Sequence, residues 1–159
     1  MFEYFCDQEE LLLYTSIHPT VIMKYELGEP FFEEKGKITS QKEIGGNRTE
    51  AAYSANGTVK SDIEVTNTGS FVGISKGNNL TTAEGQGVIT TNDGSGEKAN
   101  YTFLAVGSVN EEGKPIFRGS AVWSTDSTGK LAFLDCMLSF FKVELDEMGN
   151  FVSKERELK

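Results

Sequence analysis

The chain has 159 residues, with 24 Asp plus Glu against 15 Lys plus Arg and a formal charge of −9. That length suits one domain, and 38% apolar with 25% charged content belongs to a globular chain rather than a disordered one. The acidic balance excludes general binding to nucleic acid or anionic membranes, which needs a basic face, and no segment approaches the roughly 18 apolar residues of a membrane-spanning helix.

Residues 1–20 differ in pattern from the rest. Glu9-Glu10-Leu11-Leu12-Leu13-Tyr14 reads as the start of a short amphipathic helix, interrupted by His18-Pro19. From Thr20 onward the period is two. Val21, Met23 and Tyr25 alternate with Ile22, Lys24 and Glu26 as far as a break at Gly28-Glu29-Pro30. A strand over 36–44 ends in the turn Gly45-Gly46-Asn47, and alternation resumes over 48–55. Asn56-Gly57 then predicts a hairpin turn, since both residue types tolerate the positive φ that a type I′ turn requires. Strands are expected over 58–66 and 70–76, followed by a turn at Gly77-Asn78-Asn79. The segment 85–91 runs to a tip at 92–96, and 98–107 returns from it. Beyond Asn110-Glu111-Glu112-Gly113 come a strand over 116–124, a hairpin at 126–129 closing onto a strand over 130–135, and a last pair, 138–145 and 151–158, joined through 146–150.

About nine strands with turns every 8–12 residues or so indicate an all-β sandwich or barrel. Short connections make each strand the neighbour of the next, and closing such a meander into a single antiparallel up-and-down barrel of about eight strands removes its exposed edges. A β-sandwich is the alternative, but it calls for a long crossing connection, and none follows residue 45. Gly85, Gly87, Gly107 and Gly119 lie inside strands, where glycine marks a bend, a bulge or a close backbone approach. Tyr101, Phe103 and Ala105 share one face, Leu104 and Val106 the other. The interior of such a barrel is either filled by side chains or holds one small ligand.

Little in the sequence carries overt chemistry. Cys6 and Cys136 form no CxxC or Cys/His spacing, which excludes a zinc site; Cys136, in the apolar run 131–141, is expected to be a small buried side chain. His18 has no histidine, serine or cysteine partner in a catalytic arrangement. Gly85-Gln86-Gly87 precedes no helix and is not a phosphate cradle. Asp93, Glu111, Glu112, Asp126, Asp146 and Glu147 sit at turns, and the Asn-x-Thr triplets at Asn47, Asn56, Asn79 and Asn100 are read as turn and strand chemistry. Eight acids fall within residues 1–34 against Lys24 alone, so the negative charge is a terminal feature.

One constellation is a candidate ligand site. Glu84 and Gln86 share a face with Val88 and Thr90; Arg118 shares one with Ile116, Ser120 and Val122. If both faces point inward, Arg118 finds the partner that a buried guanidinium requires, with Tyr101, Phe103 and Trp123 as walls. The competing reading makes Arg118 an outward residue with ordinary surface pairing.

The strings Glu34-Lys-Gly-Lys-Ile-Thr-Ser-Gln41, Glu84-Gly-Gln-Gly-Val88, Phe117-Arg-Gly-Ser120, Ser127-Thr-Gly-Lys-Leu131 and Asp146-Glu-Met-Gly-Asn150 resemble an uncharacterised family of small, largely archaeal and bacterial proteins. That family is similar to the allene oxide cyclase-like barrels of calycin type. The resemblance covers about residues 23–158. It implies an eight-stranded antiparallel barrel with an apolar cavity, but no residue here matches the cyclase's catalytic positions. Met23 looks like a family start, so 1–22 is expected to be an extension outside the native fold and 23–159 the barrel domain. With no secretory signal at the N-terminus, the expected location is cytoplasmic.

The leading expectation is a binding module for a small apolar or amphipathic molecule, without cofactor, metal, nucleic-acid or membrane partner. A cofactor-free isomerase or cyclase-like enzyme acting on a lipid-like substrate is one alternative. A structural barrel with a filled interior is another. Homo-oligomers are expected by analogy with related barrels.

Overall fold

The computed structural model describes residues 24–159; Cys6, His18, the helical reading at 9–14 and the proposed extension at 1–22 lie outside the described residues. Eight strands, β1 (Leu27–Gly45), β2 (Arg48–Val59), β3 (Ile63–Gly77), β4 (Leu80–Thr91), β5 (Lys98–Val109), β6 (Pro115–Ser124), β7 (Leu138–Leu145) and β8 (Asn150–Leu158), follow one another round a closed barrel. Every neighbouring pair is antiparallel, and β8 closes against β1. The up-and-down barrel inferred from the connections is therefore the architecture, and the sandwich is excluded.

Turns form where the backbone needs residues that tolerate positive φ. Gly45, Gly46 and Asn47, then Gly77, Asn78 and Asn79, and later Gly94, Gly96, Gly113 and Gly149 all adopt it. Asn56-Gly57 does not turn, contrary to expectation. β2 runs straight through it, because a side chain at Gly57 would strike the ring of Phe32 and the stem of Glu34. The reversal comes at Lys60 and Ser61, both at positive φ. The expected break at Gly28-Glu29-Pro30 is likewise absent. β1 continues across it with irregular register on either side of Pro30, where a residue lacking an N–H is tolerated. β3 is one strand rather than the expected two, carrying Gly69 in its middle.

The segment expected as a strand over 130–135 is a 3₁₀ turn at Ala132–Leu134 inside the β6–β7 connection. It inserts Leu131 and Leu134, both with no exposed surface, into one end of the barrel. There they join Val59, Val65, Ile89, Ala99, Met137 and Trp123 in the buried apolar core. Glu97 ties this plug to the β4–β5 connection, accepting hydrogen bonds from the Ser127 hydroxyl and from the backbone N–H groups of Lys130 (3.1 Å) and Leu131 (3.0 Å). Those donors hold the Glu97 carboxyl below its ordinary pKa, the Ser127 hydroxyl foremost. Cys136 is exposed and at positive φ, not buried as expected, since the chain turns outward there before β7 begins.

Inward glycines face inward aromatic rings across neighbouring strands. Gly87 lies opposite Tyr101, Gly85 opposite Phe103, Gly107 opposite Phe117, Gly119 opposite Phe141, and Gly36 opposite Phe151. In each case a methyl group would collide with the facing ring. Gly73 is different, because its nearest prospective contact is Thr81 Cγ2 at 3.5 Å. Gly87→Ala is therefore expected to cost about 1–3 kcal/mol by overpacking, and Gly73→Ala to leave stability unchanged or slightly raised. Urea unfolding of both variants checks this, and equal stability of the two would refute the ring-seat account.

Candidate functional site

Alternation sends Phe32, Glu34, Gly36 and Ile38 of β1 inward, together with Phe151, Ser153 and Glu155 of β8. Glu34 pairs with Ser153 and Phe32 with Glu155, so the two carboxyl groups are diagonal neighbours on adjacent strands. They stand midway along the barrel. On one side lies the apolar plug; on the other is a cavity of about 90 Å³, walled by Phe71, Phe103, Phe117, Phe141 and Phe151. The half-buried Ile38, Phe117, Val143 and Leu145 line the end away from the plug, toward the rim formed by the β1–β2, β3–β4, β5–β6 and β7–β8 turns.

Between cavity and plug lies a floor of hydrogen bonds with a fixed direction. Asn67 Nδ2 donates to Glu34 Oε2 (2.8 Å), which leaves Asn67 Oδ1 to accept from the Tyr101 hydroxyl (2.9 Å). With its proton committed, Tyr101 accepts from the Tyr53 hydroxyl (2.6 Å). Beside this chain, Trp123 Nε1 donates to Glu155 Oε1 (2.9 Å) and to Ser139 Oγ (3.0 Å), while the Ser139 hydroxyl donates to Glu155 Oε1. The Tyr101 and Trp123 rings pack with centroids 4.7 Å apart and join the two branches.

Burial governs the acidity of these groups. Glu155 is fully enclosed, and desolvation pushes its pKa up to about 7 against the lowering effect of Ser139 and Trp123. Glu34 keeps some accessible surface because the cavity reaches it, yet protein surrounds its carboxyl on almost every side. Desolvation raises it to about 7 as well, offset by Asn67 and reinforced by the charge of Glu155. Tyr53 and Tyr101 are pushed far above the ordinary phenol range, burial being the main cause. Near pH 7 the floor thus holds two carboxyl groups poised between charge states and two neutral phenols.

The six residues suggested by the sequence divide between the two faces of the sheet. Tyr101, Phe103 and Trp123 point inward. Glu84, Gln86 and Arg118 are exposed on the outer face, so the condition for their meeting inside the barrel is not met, and Arg118 is the outward residue of the competing reading. The phase is set by larger neighbours: with Phe117 and Trp123 inside, Arg118 and Val122 must lie outside. Sequence reasoning missed Glu34, Tyr53, Asn67, Ser139 and Glu155. Their signal was a polar residue in phase with apolar ones, as in Phe32, Glu34, Ile38 or Val65, Asn67, Phe71. Among the described residues no cluster of His, Cys, Asp and Glu is suited to a metal ion, and no helix is long and apolar enough to cross a membrane.

The raised carboxyl pKa values fix the sign of a pH effect. Between the ordinary value of 4.5 and about 7 the folded chain keeps protons that the unfolded chain has released. The stabilisation is complete below 4.5 and is lost as pH rises to about 7, on the order of 3 kcal/mol for each carboxyl. Glu155→Gln preserves an oxygen to accept from Trp123 and Ser139, and is expected to remove about half of this dependence. Urea titrations at pH 5 and pH 8 test it; an undiminished difference in the variant would refute the assignment.

No protein-family model and no curated protein matches the chain. Solved structures do. A β-barrel-like protein from Acinetobacter baumannii AYE superposes with a TM-score of 0.72 at 13% identity, covering 87% of this chain and 99% of its own. A conserved protein of unknown function from Rhodopseudomonas palustris gives 0.66 at 15% identity, covering 87% and 100%. A protein with unknown function from Clostridium acetobutylicum gives 0.68 at 12% identity, covering 86% and 100%. The chain thus shares its fold with bacterial β-barrel proteins whose activities are not established.

Proposed function

We propose that the barrel is a binding protein for a small, mostly apolar molecule carrying one polar group. The observation that carries this reading is the division of the interior: packed solid at the plug, hollow and ring-lined above a hydrogen-bonding floor. Ligand sites generally have this composition, an apolar wall with a few convergent polar groups that set orientation. The volume bounds the ligand. Apolar cavities of about 150 Å³ bind benzene, so about 90 Å³ suits a short alkyl chain or the end of a longer one threaded from the rim. The resemblance to allene oxide cyclase-like barrels of calycin type agrees with an interior site, without extending to cyclase chemistry.

A second reading is favoured by Glu34 alone. A carboxyl with a pKa of about 7 in a cavity that reaches it suits proton transfer to and from an apolar substrate, as in a cofactor-free isomerase. Binding is the more economical account, because it needs only the cavity and its floor.

The single tryptophan, Trp123, lies against Tyr101 directly beneath the cavity and serves as an intrinsic reporter. Titration with 1-butanol is expected to give a saturable change in its fluorescence. Ala105 lines the cavity wall, so Ala105→Phe fills the space and should abolish that change while the fold is retained. An identical response in both proteins would refute an interior site.

A further inference from the structure

The cavity floor is rich in acceptors and almost empty of donors. Each strong donor around it is already committed: Asn67 to Glu34, Tyr101 to Asn67, Tyr53 to Tyr101, and Trp123 and Ser139 to Glu155. Glu34 Oε1 has no protein donor among the described residues, and the Tyr53 oxygen, having given its proton to Tyr101, retains lone pairs; both residues line the cavity. Ser153, opposite Glu34, has an uncommitted hydroxyl that can turn to accept as readily as to donate. Once Glu34 is ionised, a ligand that brings only acceptors finds little to bind here.

Charge points the same way. The cavity is lined by two carboxyl groups and by no Lys, Arg or His. Lys114, Lys130, Lys142 and Lys154 form ion pairs with Glu112, Asp93, Glu144 and Glu33 at the surface, away from the cavity. The titratable groups facing Glu34 are Glu155 from β8, Tyr53 from β2 and Tyr101 from β5, and none of them is cationic. No protein cation is therefore at hand to balance an ionised Glu34 in this interior. The walls add a third argument, because the faces of Phe and Tyr rings attract cations, and such rings enclose organic ammonium groups in known binding sites.

Resting on the binding role proposed above, we infer that the cavity selects a small organic cation. The ligand class is an alkylammonium whose N–H groups donate to Glu34 Oε1 and the Tyr53 oxygen while its hydrocarbon end packs on the rings toward the rim. The ligand's single charge is matched by an ionised Glu34, the carboxylate whose Oε1 it meets. Binding then releases a proton wherever Glu34 began protonated.

Calorimetric titration of the full chain with n-butylammonium, 1-butanol and butyrate tests this, since the three share one hydrocarbon tail. At pH 8 n-butylammonium is expected to bind at least tenfold more tightly than 1-butanol, and butyrate not measurably. With a carboxyl pKa of about 7, the ionised fraction falls about tenfold from pH 8 to pH 6. The amine, with a pKa near 10, stays protonated throughout. Affinity for n-butylammonium should therefore fall about tenfold, while that for 1-butanol holds. Glu34→Gln should bring n-butylammonium down to the level of 1-butanol, and retained butanol binding certifies its fold. If that variant does not fold, the wild-type preference and its pH dependence decide alone. Butanol binding as tightly as n-butylammonium overturns the cation assignment and leaves the binding role standing. Failure of all three probes to bind overturns both.

Discussion

Every level of a closed eight-stranded barrel is shared by side chains from neighbouring strands, and the interior is too narrow for bulky groups to meet head on. A ring projecting from one strand must find a gap on the next. This chain meets the constraint with glycine: Gly87 beneath Tyr101, Gly85 beneath Phe103, Gly107 beneath Phe117, Gly119 beneath Phe141. Rings laid flat over glycine line the wall instead of filling the axis, and the cavity follows from that. At the other end Trp123, Leu131 and Leu134 have no such gaps to lie in and pack the axis solid.

The polar floor marks the boundary between these two regimes. Its groups are satisfied in a definite order, from Tyr53 through Tyr101 and Asn67 to Glu34, so that the orientation of one amide decides the direction of two hydroxyls. Such a network lowers the cost of burying polar groups and also restricts them to one arrangement. The two carboxyls remain expensive, for neither has a cation beside it, and their response is to hold protons near neutral pH. Stability has been surrendered at one level of the barrel where a Leu or Phe would have packed without penalty.

Much of the fold was legible because its signals are local. Gly45-Gly46-Asn47, Gly77-Asn78-Asn79 and Gly113 turn the chain where they stand in the sequence, since positive φ is a property of single residues. Asn56-Gly57 has the same appearance and the opposite role, because Phe32 of the neighbouring strand requires an empty position there; that requirement comes from register, which no local signal carries. The candidate site was half legible. Tyr101, Phe103 and Trp123 announce themselves as large groups in an inward phase, but the choice of Arg118, Glu84 and Gln86 rested on a phase that Phe117 and Trp123 had already claimed. Glu34 appeared among the acids of the first 34 residues, where composition made it one more surface charge. Only closure of β1 on β8 places it beside Glu155.

That closure has a kinetic meaning. Every other pairing in the barrel joins strands adjacent in sequence, so seven hairpins can form locally in any order. Pairing of β1 with β8, which extends to backbone hydrogen bonds between Glu26 and Lys159, brings together opposite ends of the described chain and closes the longest loop in the barrel. Glu34 and Glu155 become neighbours only across this seam. The cost of taking both out of water therefore falls on the pairing that already carries the largest loop-closure entropy, and the proton supply of the solvent bears on that seam more than on any other.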